Sequence, residues 1–114
     1  MSFEKLEVWK RSSRLCVEIY KAMKVLRDYG FKDQLTRSAL SIPSNIAEGV
    51  DRTSLKERKR FLSIARGSAA EARTQVYIGI EIGYISKPEG QAWLNELKQL
   101  SAMLQSLINS IETQ

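Results

Sequence analysis

Between residues 34 and 49 an apolar rhythm of helical period passes straight through a proline. Leu35, Ala39, Ile42 and Ile46 step by four, three and four, so one face stays apolar on both sides of Pro43. An interior proline removes a backbone hydrogen bond and presses its ring on the carbonyl one turn back, at about 3 kcal/mol. A chain that keeps the rhythm at that cost must hold its helix with neighbours that offset it. The stretch predicts a helix-rich packed domain whose second helix, over about 32–48, is continuous but kinked at Pro43 and stops at Gly49.

The flanking segments carry the same period. Leu6, Trp9, Cys16, Ile19, Tyr20, Met23 and Leu26, backed by Val8 and Leu15, trace an amphipathic helix over about 4–28, which Asp28-Tyr29-Gly30 should end. Ser54 and Glu57 stand at capping-box spacing, so a third helix starts there and runs to about Tyr84. Its glycines Gly67, Gly79 and Gly83 would each cost about 1 kcal/mol in a helix interior, which predicts close approach of another backbone. Ser86 and Glu89 repeat the capping spacing with Pro88 in the first turn, opening a fourth helix. Its seam reads Trp93, Leu97, Leu100, Leu104, Leu107 and Ile111. Four such helices, joined by short breaks, can bury their seams only against each other. The expected fold is an all-α, antiparallel up-down four-helix bundle filling residues 1–114 as a single domain.

The chain has no histidine and one cysteine, which excludes several chemistries. Di-iron sites of four-helix bundles need Glu-x-x-His, and a thiol nucleophile needs an activating base. Cys16, set among Leu15, Ile19 and Tyr20, reads as a small core residue. No glycine-rich phosphate loop follows a strand, so no cofactor, no metal and no enzymatic activity are expected. Charges pepper the first thirty residues and no apolar run approaches the ~20 residues of a membrane span, so a soluble, cytoplasmic protein with no membrane partner is expected.

Net charge is +5, and the excess sits on two segments. Residues 1–30 hold seven basic and four acidic side chains, and residues 53–84 hold six and three. On helical spacing Lys10, Arg14 and Lys21 share the solvent side of the first helix. Lys56, Lys59, Arg60, Arg66 and Arg73 share that of the third. Such rows can neutralise phosphates and release counterions, the basis of sequence-independent binding to RNA or DNA. The plainer reading is a solvated face with local pairs such as Glu7 with Arg11 and Arg14 with Glu18.

Ser68, Glu71 and Gln75 follow one edge of the third helix, and Asn45 and Glu48 lie close to the apolar face around Pro43. Glu48 and Glu71 could hold a divalent cation. A structural polar layer is the stronger reading, with Arg37 and Arg52 compensating the acids and Asn45 taking the carbonyl freed by Pro43. The run from Val76 to Ile85 is apolar nearly all round, which one buried face does not require. Val76, Ile78, Ile80 and Ile82 are therefore expected to meet another copy of the chain.

The run Ser-Ile-Pro-Ser-Asn-Ile-Ala-Glu-Gly at 41–49, with Gly67, Ser68 and Glu71 downstream, resembles the signature of a bacterial four-helix-bundle family. That family is named after proteins encoded in intervening sequences of 23S ribosomal RNA genes. The opening Phe3-Glu4-Lys5-Leu6-Glu7-Val8-Trp9 and the Glu81-Ile82-Gly83-Tyr84-Ile85 run also fit its pattern. The resemblance implies a ribosomal-protein-like bundle assembled as a homopentameric ring and associated with RNA. The chain is also similar to the accessory proteins of diversity-generating retroelements, which implies the alternative of a scaffold for a protein partner such as a reverse transcriptase.

Overall fold

Three of the helices begin where a short polar side chain can accept from the first free N–H groups. Asp28 accepts from the Phe31 N–H at 3.1 Å, Ser54 from that of Glu57 at 3.3 Å, and Ser86 from that of Glu89 at 3.4 Å. In the computed structural model, which describes residues 2–112, these caps open α2 (Tyr29–Asp51), α3 (Leu55–Glu81) and α4 (Lys87–Glu112). Ahead of them lie a 3-10 turn at Phe3–Lys5 and α1 (Glu7–Met23). The described residues form helices and turns only.

Several boundaries differ from the sequence expectation. The first helix is shorter than 4–28: it tightens at its end, Lys24 N–H reaching Lys21 O and Leu26 N–H reaching Met23 O, three residues back. Asp28-Tyr29-Gly30 does not close α1 but opens α2, because the Asp28 carboxylate points forward into the next helix. Gly49 does not stop α2. It is buried within the helix, where an added Cβ would stand 3.1 Å from Phe61 Cβ and 3.3 Å from Arg58 O. The helix is unbroken through Pro43, which is itself buried beside Ile42 and Ile46.

α3 ends three residues before Tyr84 in a Schellman motif. Gly83 takes φ +80°, its N–H reaching Ile80 O, while Tyr84 N–H reaches Gly79 O at 2.8 Å. Of the glycines expected at close approaches, Gly79 is one, with Ile85 Cδ1 2.5 Å from where its Cβ would be. Gly83 serves the turn instead, and Gly67 faces open space.

Neighbouring helices run in opposite directions. Phe31 approaches Gly79, Ser41 bonds Ser68, and Gly49 meets Phe61, so numbers rising along α2 fall along α3. Lys59 with Glu112 and Arg66 with Gln105 give α3 and α4 the same reversal. The bundle measures 45 × 21 × 19 Å, little longer than the ~40 Å of α3 alone. α1 packs on α2 and α4, and α3 packs on the same two, whereas α1 and α3 do not touch. They are the diagonal pair.

The core is one apolar cluster fed by all four helices. In α4, Trp93, Leu97, Leu100 and Leu104 are buried as expected, but Ile108 then replaces Leu107, and Ile111 is only partly covered. A strict heptad drifts about 20° per repeat on a straight helix, so the buried stripe slips one residue forward. α1 buries Val8, Ser12, Leu15, Cys16, Ile19 and Met23, leaving Tyr20 exposed rather than in the core.

Candidate nucleic-acid interface

The diagonal arrangement separates the two basic rows. Lys10, Arg14 and Lys21 are exposed on α1, while Lys56, Lys59, Arg60 and Arg66 are exposed on α3, with Arg73 half-buried there. Because α1 and α3 do not touch, the rows cannot merge into one patch on a single protomer. Of the expected local pairs on α1, Arg14 with Glu18 does not form among the described residues, and Arg11 leaves Glu7 for a cross-bundle contact. Arg11 reaches α4, its Nε donating to Glu96 Oε2 at 2.9 Å and its Nη2 to Glu96 Oε1 at 2.5 Å. That hydrogen-bonded guanidinium holds the Glu96 carboxyl below its ordinary value.

On α3 the row itself divides. Arg60 lies over the Phe61 ring, 4.6 Å from its centroid, and donates to Glu57 at 3.0 Å, so its charge is already engaged. Arg52 faces the same ring at 5.0 Å and pairs with Glu48. Lys59, Arg66 and Arg73 stand seven residues apart, turned toward α4. At 1.5 Å per residue they are about 10 Å apart along the axis. α4 answers in reverse register with Glu112, Gln105 and Lys98. Lys59 pairs with Glu112 at 2.8 Å, Arg66 donates to the neutral Gln105, and Arg73 and Lys98 line one groove together. Along this row positive charge is thus cancelled at Lys59 and left without a counter-charge at Arg73.

That groove has a volume of about 520 Å³ and is lined by Ala70, Arg73, Thr74, Tyr77, Gln91, Leu94, Asn95 and Lys98. No carboxylate lines it. Sequence reasoning named Arg73 alone of this set. The matched seven-residue spacings of Lys59, Arg66, Arg73 and of Lys98, Gln105, Glu112 were the available signal, legible once the two helices are read in opposite directions.

The polar layer forms only in part. Ser68 is buried with its hydroxyl 2.8 Å from that of Ser41, and Asn45 Nδ2 donates to Ser41 O and Oγ at 2.8 and 2.9 Å. Asn45 therefore serves Ser41, not the carbonyl one turn before Pro43. Arg37, Glu48 and Glu71 are exposed and outside this cluster. Glu48 is drawn away to Arg52 at 2.7 Å, and no cation-binding group of acidic residues assembles among the described residues. Gln75, expected alongside, has a buried Oε1 without a partner among the described residues.

The apolar run also splits. Val76 is fully buried in the protomer's own core, and Ile80 packs against it, its side chain occupying the space an added Cβ on Gly90 would need. Val76 is thereby closed to another copy, and Ile80 offers it only a partly exposed side chain. Ile78 and Ile82 are 44% and 52% exposed at the end of α3, whereas exposed Ile64 lies about 21 Å back along the helix with exposed Glu71 between. Cys16 is buried, and that burial pushes its thiol pKa up, the opposite of what a nucleophile needs.

Among the described residues no helix is long and apolar enough to cross a membrane. A family model described as 23S rRNA-intervening sequence protein matches residues 4–106. No curated protein matches the chain. Among solved structures, the chain is similar to a protein of unknown function from the S23 ribosomal protein family of Bacteroides thetaiotaomicron VPI-5482. The two are 26% identical and superpose with a TM-score of 0.83 over 89% of this chain and 97% of that one.

Proposed function

The chain belongs to the 23S rRNA-intervening sequence protein family, and from that membership we propose a non-catalytic, homo-oligomeric RNA-binding protein that engages phosphates through the basic face of α3. The observation that carries this reading is the row Lys59, Arg66, Arg73 with Lys98 opposite, which gains net positive charge along its length. A row of this kind neutralises a backbone and reads no bases, because it lies on a helix flank rather than on an element that can enter a groove. The α1 residues Lys10, Arg14 and Lys21 form a second, weaker surface that could act only through a neighbouring copy or a second RNA segment. A pentameric ring, implied by the family resemblance, would repeat the α3 row and let equivalent fields add. Cytoplasmic placement follows from an RNA ligand of this type.

Fluorescence anisotropy with labelled RNA tests the reading. Affinity should fall on the order of tenfold or more between roughly 50 and 200 mM salt. Charge reversal at Lys59, Arg66 and Arg73 should abolish binding with the oligomer intact, and reversal at Lys10, Arg14 and Lys21 should weaken it less. No measurable affinity at low salt would overturn the reading. The exposed apolar pair Ile78 and Ile82 favours a second reading, a scaffold for a protein partner. Under it, RNA affinity is absent and glutamate at Ile78 and Ile82 abolishes partner capture.

A further inference from the structure

The groove between α3 and α4 differs from the rest of the basic row in what surrounds its charges. Elsewhere each α3 cation that reaches α4 finds a partner there, Lys59 a carboxylate and Arg66 an amide. Arg73 and Lys98 instead line the same groove as two cations, and neither has an ion-pair partner among the described residues. Two cations on one groove without a counter-charge favour the approach of an anion.

The remaining lining is not that of a simple anion site. Tyr77 is 58% exposed at the groove, an aromatic ring with a free face and no ring partner among the described residues. Gln91 Nε2 donates to Asn95 Oδ1 at 3.2 Å, one turn apart on α4. That bond leaves Gln91 Oε1 and Asn95 Nδ2 as an acceptor and a donor on the same groove as the ring. Half-buried Leu94 gives the groove an apolar floor. The volume of about 520 Å³ falls in the usual range of small-molecule sites.

Cations, a stacking ring and an amide pair on one concave surface match the three parts of a nucleotide. We propose that this groove binds one nucleotide of a single-stranded RNA, its phosphate between Arg73 and Lys98, its base on Tyr77 and its base edge against Gln91 and Asn95. A duplex keeps its bases stacked inside and cannot offer one to Tyr77, so the groove selects single strands. This deepens the RNA-binding reading above and rests on it, adding a local contact to a sequence-independent row.

The test compares a labelled single-stranded oligonucleotide with the same sequence as a duplex, on the full chain. Single-strand affinity should exceed duplex affinity, and Tyr77→Ala should lower it about fivefold or more while leaving duplex affinity unchanged. Tyr77→Phe should restore it, because the ring and not the hydroxyl makes the contact. Equal losses for both nucleic acids, or none for the single strand, would overturn the groove while leaving the electrostatic row standing. Adenosine monophosphate provides the independent arm, read on the side-chain amide resonances of Gln91 and Asn95. Shifts that saturate, and that vanish in Lys98→Glu, support the groove even if longer RNA fails to bind. Absence of shifts overturns it. A changed sedimentation mass for Lys98→Glu would also overturn it, by assigning the groove to contacts between copies.

Discussion

Gly67 and Gly90 occupy helix interiors for opposite reasons, and single substitutions separate them. Around Gly67 nothing lies within 4 Å of an added Cβ, so alanine there loses no packing and reduces the freedom of the unfolded chain. Gly67→Ala should stabilise the fold by about 0.5–1 kcal/mol in urea denaturation. At Gly90 the same Cβ would collide with Cγ1 and Cδ1 of Ile80, a side chain packed on the core, and Gly90→Ala should destabilise by about 1–3 kcal/mol. Arg11 and Glu96, each a little over a quarter exposed, yield a pH prediction. The folded Glu96 pKa lies below its ordinary 4.5, so the pair contributes fully at neutral pH and its contribution is lost as pH falls through and below that value. Glu96→Gln should flatten that part of the profile of melting temperature against pH, removing about 1 kcal/mol at pH 7. An unchanged acid limb would contradict the assignment. The sequence showed where glycine stands but not what stands opposite it, which at Gly90 is set by Ile80 on the preceding helix.

At the level of single helices, the period of apolar residues carried the reading well, because burial on one face is a local pattern. Its continuity through Pro43 predicted a helix that indeed runs unbroken from Tyr29 to Asp51. The ends were less legible. A carboxylate such as Asp28 can close one helix or cap the next, and only the backbone direction decides between them. The α2–α3 contact shows the same limit for polar residues. Ser41 was not singled out, yet it joins Asn45 to Ser68 across the two helices. Asn45→Ala should therefore destabilise by about 1 kcal/mol. Glu71→Ala should change stability by less than about 0.5 kcal/mol, since that side chain is exposed. Thermal unfolding of both variants distinguishes a three-residue cluster from the wider layer that spacing alone suggested. Equal losses would restore Glu71 to it.

Across the whole molecule α3 serves three surfaces at once. Leu62, Ala65, Ala69, Ala72 and Val76 face the core, Lys59, Arg66 and Arg73 turn toward α4, and Ile78, with Ile82 just past the helix end, makes a third, exposed apolar edge. At 100° per residue the basic and apolar edges lie about 140° apart, so one can be covered by another copy while the other stays open to a ligand. This geometry explains why an all-round apolar reading of the segment from Val76 onward was too broad. Two of its four named residues serve the protomer's own core, and periodicity cannot say which side of a helix is claimed first. The distinction is testable. Ile78→Glu with Ile82→Glu should reduce the sedimentation-equilibrium mass with little loss of melting temperature, because both side chains are exposed in the protomer. Val76→Glu should instead unfold the chain, by placing a carboxylate where the native side chain is fully buried. If the parent protein sediments at 13.0 kDa at micromolar concentration, the apolar edge does not hold copies together, and its cover must come from a different protein. If the double variant loses the oligomer yet keeps RNA affinity per protomer, the basic row acts on its own. Loss of affinity with the oligomer would mean that a single row holds too few phosphates, and that repetition around the assembly supplies the rest.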